Sequence, residues 1–287
     1  MTEPSTTWQS PWTPGESACE VRAFAVVSVA FEDLAALRKA PGPRPPGVDK
    51  IAHSLLKHAD HQTLLAMAAV LRASHDFGLP GPFRDWGIIA APRFLGRVGI
   101  AGPLFRFSRS GASAVSPLII PTMSLHAVAG SLSMAIKARG FHFGVGGGPG
   151  HLAEALTAGL ASLDETGAPG VWVVATGFDP EPRPDVSGDV LNESTGHAVA
   201  LALSASSEKS RSALRLQLRP GPTPPGPPGP TSDADGGEPL TDLLALSEFL
   251  NASTGSQGSR AWRCVVPGLG LIDLVDDRAV SVSRRAG

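Results

Sequence analysis

What this chain has little of narrows it first. It holds only two cysteines, Cys19 and Cys264, near opposite ends. Two distant thiols make no disulfide framework, so reduced cysteines are the expectation. No stretch approaches the roughly 18 consecutive apolar residues of a membrane-spanning helix, and the polar start lacks the basic-then-apolar order of a secretory signal. A cytoplasmic protein is expected. Charge of one sign is also missing: 24 Lys and Arg stand against 26 Asp and Glu, a net of −2. That balance gives no electrostatic case for nucleic acid or an anionic membrane.

What is present fits a globular α/β unit. The chain has 287 residues and is 42% hydrophobic, with a mean hydropathy of +0.07, enough to bury one large core. Residues 1–17, rich in Thr, Ser, Pro and Trp, read as a loose tail. An apolar strand follows at Val21–Ala30, then a Pro-rich loop, a buried helix over His61–His75 and a second core strand over Trp86–Ala91. Alternating strands and helices predict a mixed or parallel sheet covered on both faces. The run PGPTPPGPPGP over Pro220–Pro230 cannot build a core and reads as an extended spacer within 219–238. Leu240–Leu250 has the spacing of a helix that packs back on the main body, so 239–287 is expected to dock there.

The most informative stretch runs from Pro121 to Leu160. Phe141–Val145 is compact and β-prone, Gly146, Gly147, Gly148, Pro149 and Gly150 form a tight turn, and His151–Leu156 is strongly helical. Strand, glycine turn and helix form the place where α/β proteins put their chemistry. Glycines permit positive φ and close approach of an anion, a cofactor or a thioester, and Pro149 suits a helix entry.

Two readings compete for this turn. Val145–Leu152 resembles the first motif of S-adenosylmethionine-dependent methyltransferases. Those enzymes carry an acidic residue two positions before the first glycine, where Gly144 stands here. A second carboxylate is due about 20 residues on by analogy with dinucleotide folds, whereas Asp179 lies farther along, after Val171–Val174. The G-x-G-x-x-G fingerprint also fails, with Pro149 in place of its third glycine.

The wider window resembles a condensing enzyme. Ser124–Ile136, rich in Ala, Gly and Ser, looks like the small-residue helix preceding the nucleophile strand of β-ketoacyl synthases. Gly170–Asp179 and Gly196–Leu203 resemble the strands that follow. The chain is most similar to ketosynthase-like N-terminal domain proteins, often called chain length factors, from about Val21 to Leu274, with Leu240–Leu250 and Arg260–Cys264 as the closing helix and Trp-containing strand. The resemblance implies a thiolase-like α/β fold, the N-terminal half of a ketosynthase, over 18–218. In active members a cysteine follows the strand; counting from Gly140 puts that position at Pro149, or at Gly148 with a one-residue shift. Neither side chain can attack a thioester. The family's two catalytic histidines belong to the half this chain lacks.

The resemblance therefore implies a pseudoenzyme without cofactor or metal. Such a subunit would pair with an active β-ketoacyl synthase or acyl carrier protein, as a dimer or larger complex, in fatty acid or polyketide biosynthesis. Phe141–Val145 would be its interface. His126, Gly146, Gly147, Gly148 and His151 are the candidate binding residues. His126 is expected in a core or interface, with lining of an acyl pocket as its functional role, and His151 is expected to face solvent unless something fills the turn. An acyltransferase using Ser124 is a further alternative. His58 and His61 share an i, i+3 face that suits a metal only with a third ligand; hydrated surface histidines are expected there, beside His53 and Asp60. Arg93, Arg97, Arg106 and Arg109 read either as exposed solubilising residues or as a patch for an acidic carrier. Asp179-Pro180-Glu181-Pro182 reads as an exposed structural turn rather than a carboxylate pair for acid–base work.

Overall fold

A computed structural model describes residues 17–206, 214–221, 240–253 and 260–276. The expected tail at 1–16 and most of the proline-rich spacer, 222–238, lie outside the described residues. The elements are β1 (Ser17–Ala30), α1 (Leu34–Leu37), α2 (His53–His58), α3 (His61–Asp76), β2 (Gly87–Pro92), α4 (Arg97–Ser110), α5 (Ile119–Met123), α6 (Leu125–Ile136), β3 (His142–Gly144), α7 (His151–Thr166), β4 (Val171–Asp179), β5 (Thr195–Ala205), β6 (Leu214–Pro220), α8 (Thr241–Ser253), β7 (Arg260–Val266) and β8 (Gly270–Asp276).

The eight strands make one mixed sheet in the order β3-β2-β4-β5-β1-β6-β8-β7. β2 runs parallel to both β3 and β4, while β5 is antiparallel to its neighbours β4 and β1. Helices cover both faces of the first five strands, as expected. Alternate residues of β2, β4, β5 and β1, such as Ile88, Trp172, Ala200 and Ala25, pack with α3 and α6. The other set, such as Ile89, Val173 and Leu201, packs with α7 and α8. Burial on both sides explains why β4 and β5 are continuously apolar instead of alternating. Gly159 lets α7 lie close to β4, because a Cβ there would stand 2.6 Å from Val173 Cγ2.

β1 starts four residues before the Val21 expected and contains a bulge at Arg22, with Val21 opposite Leu203 but Ala23 opposite Ala202. The extra residue reverses the strand's facing. Cys19 and Val21 lie in the α7–α8 layer, and Ala23, Ala25 and Val27 in the α3–α6 layer. Beyond β1 the strands are covered on one side only: Trp262, Cys264 and Val266 are buried whereas Ala261, Arg263 and Val265 are exposed. On the open side Asp273 pairs with Arg219 and Arg263. β6 and β8 are strands for which no element was expected.

One reading of the sequence is corrected here. His58 and His61 do not share a helix face, because Ala59 and Asp60 are extended and separate α2 from α3. Asp60 caps α3 instead, its Oδ1 accepting from the Gln62 N–H at 2.8 Å. Burial raises the Asp60 carboxyl and lowers the His61 imidazole. Among the described residues no group of three metal-ligating side chains exists, and no helix is long and apolar enough to cross a membrane.

Trp172 is the largest fully buried side chain of the sheet, packed edge-on to Phe83 at 5.6 Å between ring centres and beside Trp86 at 5.9 Å. Trp172→Ala is expected to cost about 3–5 kcal/mol through transfer and cavity terms. Trp172→Phe should cost clearly less, both read as shifts of the urea unfolding midpoint.

Candidate functional site

Parallel pairing of β2 with both β3 and β4 gathers the ends of three strands at one place. Arg93 follows β2, the glycine turn follows β3, and Asp179 closes β4. The Phe94 N–H donates to the Gly147 carbonyl at 3.1 Å and ties two of these ends together. Phe94 adopts φ 50°, uncommon for a bulky residue, and its ring lies 5.0 and 5.6 Å from the guanidinium carbons of Arg93 and Arg97. Beneath them is a buried polar latch. Gln62 Nε2 donates to the Arg93 carbonyl at 2.7 Å, Thr176 Oγ1 donates to Gln62 Oε1 at 2.8 Å, and the Arg93 N–H donates to the Thr176 carbonyl at 2.8 Å. Nothing in the spacing singled out Gln62 or Thr176, which lie 114 positions apart.

The turn itself is built for close packing. Gly146 and Gly147 have φ of 77° and 101°. A Cβ on Gly146 would lie 2.7 Å from His151 Cβ, and one on Gly144 would run into the Leu125 carbonyl. Those glycines are explained by the fold of the turn onto α6 and α7. Gly148 and Pro149, the two positions of the implied nucleophile, carry no reactive group. Cys19 and Cys264 are buried in the sheet, with β6 and β8 between their strands, which sets them apart by roughly three strand spacings of about 4.8 Å. Burial pushes the Cys264 thiol up to about 12 and the Cys19 thiol higher still, the opposite of nucleophile activation.

His151 is not solvent-facing as expected. Only 2% of it is exposed, and burial, reinforced by the Arg93 charge, pushes its pKa down to about 4. Its Nδ1 lies 3.4 Å from the Pro149 carbonyl, an acceptor, so Nδ1 carries the hydrogen. Nε2 is then a lone-pair acceptor, and it has no hydrogen-bond partner among the described residues. His151 lines a cavity of about 1110 Å³ between α7, α8 and the β7–β8 hairpin, with Arg93, Pro149 and Gly150 at the same end.

Other expectations change too. Arg93 is 2% exposed, so it is no surface patch. The Glu181 side chain is 6% exposed and 3.9 Å from Arg97, so the Asp179–Pro182 segment turns inward at this residue. Burial pushes Glu181 up to about 7 against the pull of Arg97 and Arg93. His126 is exposed instead of in the core and stacks on His142 of β3 at 5.0 Å. Ser124 precedes α6 without capping it; it borders a second, apolar cavity of about 400 Å³ lined by Ile100, Leu104, Phe107, Ile119, Ile120 and Met123. The methyltransferase alternative gains nothing, because β4, whose end carries Asp179, is separated from β3 by β2.

No family model matches the chain, and no curated protein matches it. Among solved structures it is similar to a chain of the ishigamide ketosynthase/chain length factor, with 17% identity, 71% of this chain and 67% of that one covered, and a TM-score of 0.47. It is similar to a chain of a type II polyketide synthase acyl-carrier protein in complex with its ketosynthase, at 15% identity, 67% and 63% coverage and a TM-score of 0.48. A chain of the ketosynthase–chain length factor complex from Xenorhabdus doucetiae shows 14% identity, 92% and 97% coverage and a TM-score of 0.49. The chain thus spans less than two thirds of the second of these and nearly all of the third. The mixed sheet between two helical layers has the α/β form expected from the sequence.

Two buried groups near the turn oppose each other in acid. His151 is depressed below its usual 6.5, so the unfolded chain binds the extra proton between about pH 6.5 and 4, and stability falls as pH drops through that window. Glu181 is raised from 4.5 to about 7, so its folded form holds the extra proton between about 7 and 4.5, and stability rises there as pH drops. Glu181→Gln should therefore lose stability on going from pH 7 to 4.5 more than the wild type does. His151→Phe should lose less, with urea midpoints at the two pH values as the readout.

Proposed function

We propose that this chain is a non-catalytic, chain-length-factor-like subunit of a type II fatty-acid or polyketide pathway, pairing with an active β-ketoacyl synthase or its acyl carrier protein in the cytoplasm. The carrying observation is the turn between β3 and α7, folded as in a strand–turn–helix nucleophile site but with glycine and proline where the resemblance puts the cysteine. An organised turn without a nucleophile suits a partner better than a catalyst. No cofactor enters this reading.

A second observation supports pairing. β3 is an edge strand only three residues long. The Ile88 N–H donates to the Phe141 carbonyl and the Val145 N–H to the Ala90 carbonyl; in a parallel ladder this turns the main-chain groups of His142 and Gly144 outward. α6 packs beside this edge, α5 packs on α6 and α4 on α5, and in the α4–α5 region Leu104, Phe107, Leu118 and Ile120 are 53–75% exposed. An unpaired edge next to apolar side chains is the surface on which another sheet docks. In this reading the 400 Å³ cavity next to Ser124 shapes the partner's acyl tunnel, and the stacked His126 and His142 meet the partner.

His142→Pro tests the pairing without disturbing β2, since it removes an N–H on the outward side of an edge strand. With a ketosynthase from the same pathway co-expressed, the wild type should co-purify as a stable complex. His142→Pro should weaken that complex at least tenfold while keeping its own melting temperature within a few degrees. Intact mass after exposure to an acyl thioester should show no adduct. An adduct on Ser124 would instead establish the acyltransferase alternative, and saturable calorimetric heat with S-adenosylmethionine would establish the methyltransferase.

A further inference from the structure

Glu181 sits where little supports a charge. Its side chain is 6% exposed, both carboxylate oxygens are out of reach of solvent, and neither has a hydrogen-bond partner among the described residues. Arg97 Nη1, at the start of α4, is 3.9 Å away, beyond hydrogen-bond range, and Arg93 at the end of β2 adds a second pull. Beside Glu181 lies a void of only about 10 Å³, bordered by Asp60 and His61 of α3 and by Phe94, Gly96, Arg97 and Val98 at the entry of α4. One water needs roughly 10–15 Å³ of such space. Solvent therefore cannot hydrate an ionised carboxylate while α4 is seated.

The segment that covers it is weakly built. Gly96 enters α4 at φ 80°, and no side chain caps the helix. Gly99 and Gly102 lie in its first turns, and Pro103 offers no N–H to the Gly99 carbonyl. Only Gly102 of α4 is buried, at a place where a Cβ would stand 2.7 Å from the Ser187 carbonyl oxygen. The first turn of α4 can thus part from Glu181 with little loss of buried contact, and parting lets water reach the carboxylate.

We propose that the first turn of α4 is a pH-governed flap over Glu181, seated while the carboxyl is protonated and lifted as it ionises. Burial pushes the seated carboxyl up to about 7 against the pull of Arg97 and Arg93, while a hydrated one returns to 4.5. Between those values the seated form holds the extra proton, so rising pH favours the lifted form, and the effect levels off above about 7. Asp60, whose Oδ2 lies 3.8 Å from a Cβ on Gly99, is also raised by burial and acts in the same direction. His61 is lowered by burial and acts in the opposite one. Lifting moves Ile100 in the wall of the apolar cavity beside α5, and it needs no ketosynthase partner.

The experiment is amide hydrogen exchange of the purified full chain from pH 5 to 8, with protection factors corrected for the intrinsic exchange rate at each pH. Protection of the α4 amides from Val98 to Gly102 is expected to fall about tenfold or more over that range, while the α3 amides from Leu64 to Leu71 keep theirs. Glu181→Gln, neutral at every pH, should remove most of the fall. Arg97→Gln, which withdraws the pull of the guanidinium, should move the levelling-off to higher pH. Wild-type α4 protection that does not change with pH overturns the proposal, as does an equal fall in α3, which is global unfolding. A fall of wild-type size in Glu181→Gln would also overturn it. The wild-type profile decides the matter even where a variant fails to fold.

Discussion

The parallel placement of β2 between β3 and β4 is the constraint on which the site depends. Because all three strands run the same way, the residues leaving their carboxyl ends emerge together. Arg93 and the glycine turn are therefore neighbours although more than 50 residues separate them. The Phe94–Gly147 hydrogen bond and the Gln62–Thr176 latch then fix that meeting from within the core. A buried amide with both ends satisfied holds one geometry, since any shift of α3 against the strand ends would orphan polar atoms where water cannot replace them.

Much of the fold was legible from the sequence, and for a physical reason. Elements that bury a face announce it by period and length, as α3 and α7 do, whereas α6, β4 and β5 were read from their resemblance to ketosynthase elements. α4 was not legible because it hides almost nothing, with only Gly102 buried, and Pro103 stands within it. β6 and β8 alternate over a single covered face in short runs beside proline-rich sequence, and their signal was weak. The bulge at Arg22 had no local marker; it shows only in the partner register.

The candidate site was legible as a turn but not as an environment. Gly146, Gly147, Gly148 and His151 do come together, whereas His126 lies on α6 beside β3. Whether a histidine or arginine faces water is decided by elements far off in sequence. His151 is buried where Arg93, brought from the end of β2, meets the glycine turn, and Glu181 is sheltered within reach of Arg97. Local polarity predicted exposure for both, and tertiary packing overruled it.

The composition of α7 carries the final step. Its inner side, with Leu152, Leu156, Leu160 and Leu163, fills the space against the sheet with large residues. Its outer side also avoids a continuous charged stripe, yet uses Ala158 and Ala161, which are half-buried and small. A helix apolar on two sides is one that expects company on both. Leucines at those outer positions would have filled the gap toward α8 and β7 with the chain's own atoms, at a gain of about 1.5–3 kcal/mol for each fully buried side chain. Alanines leave that volume open along the middle of the helix, two turns and more beyond His151.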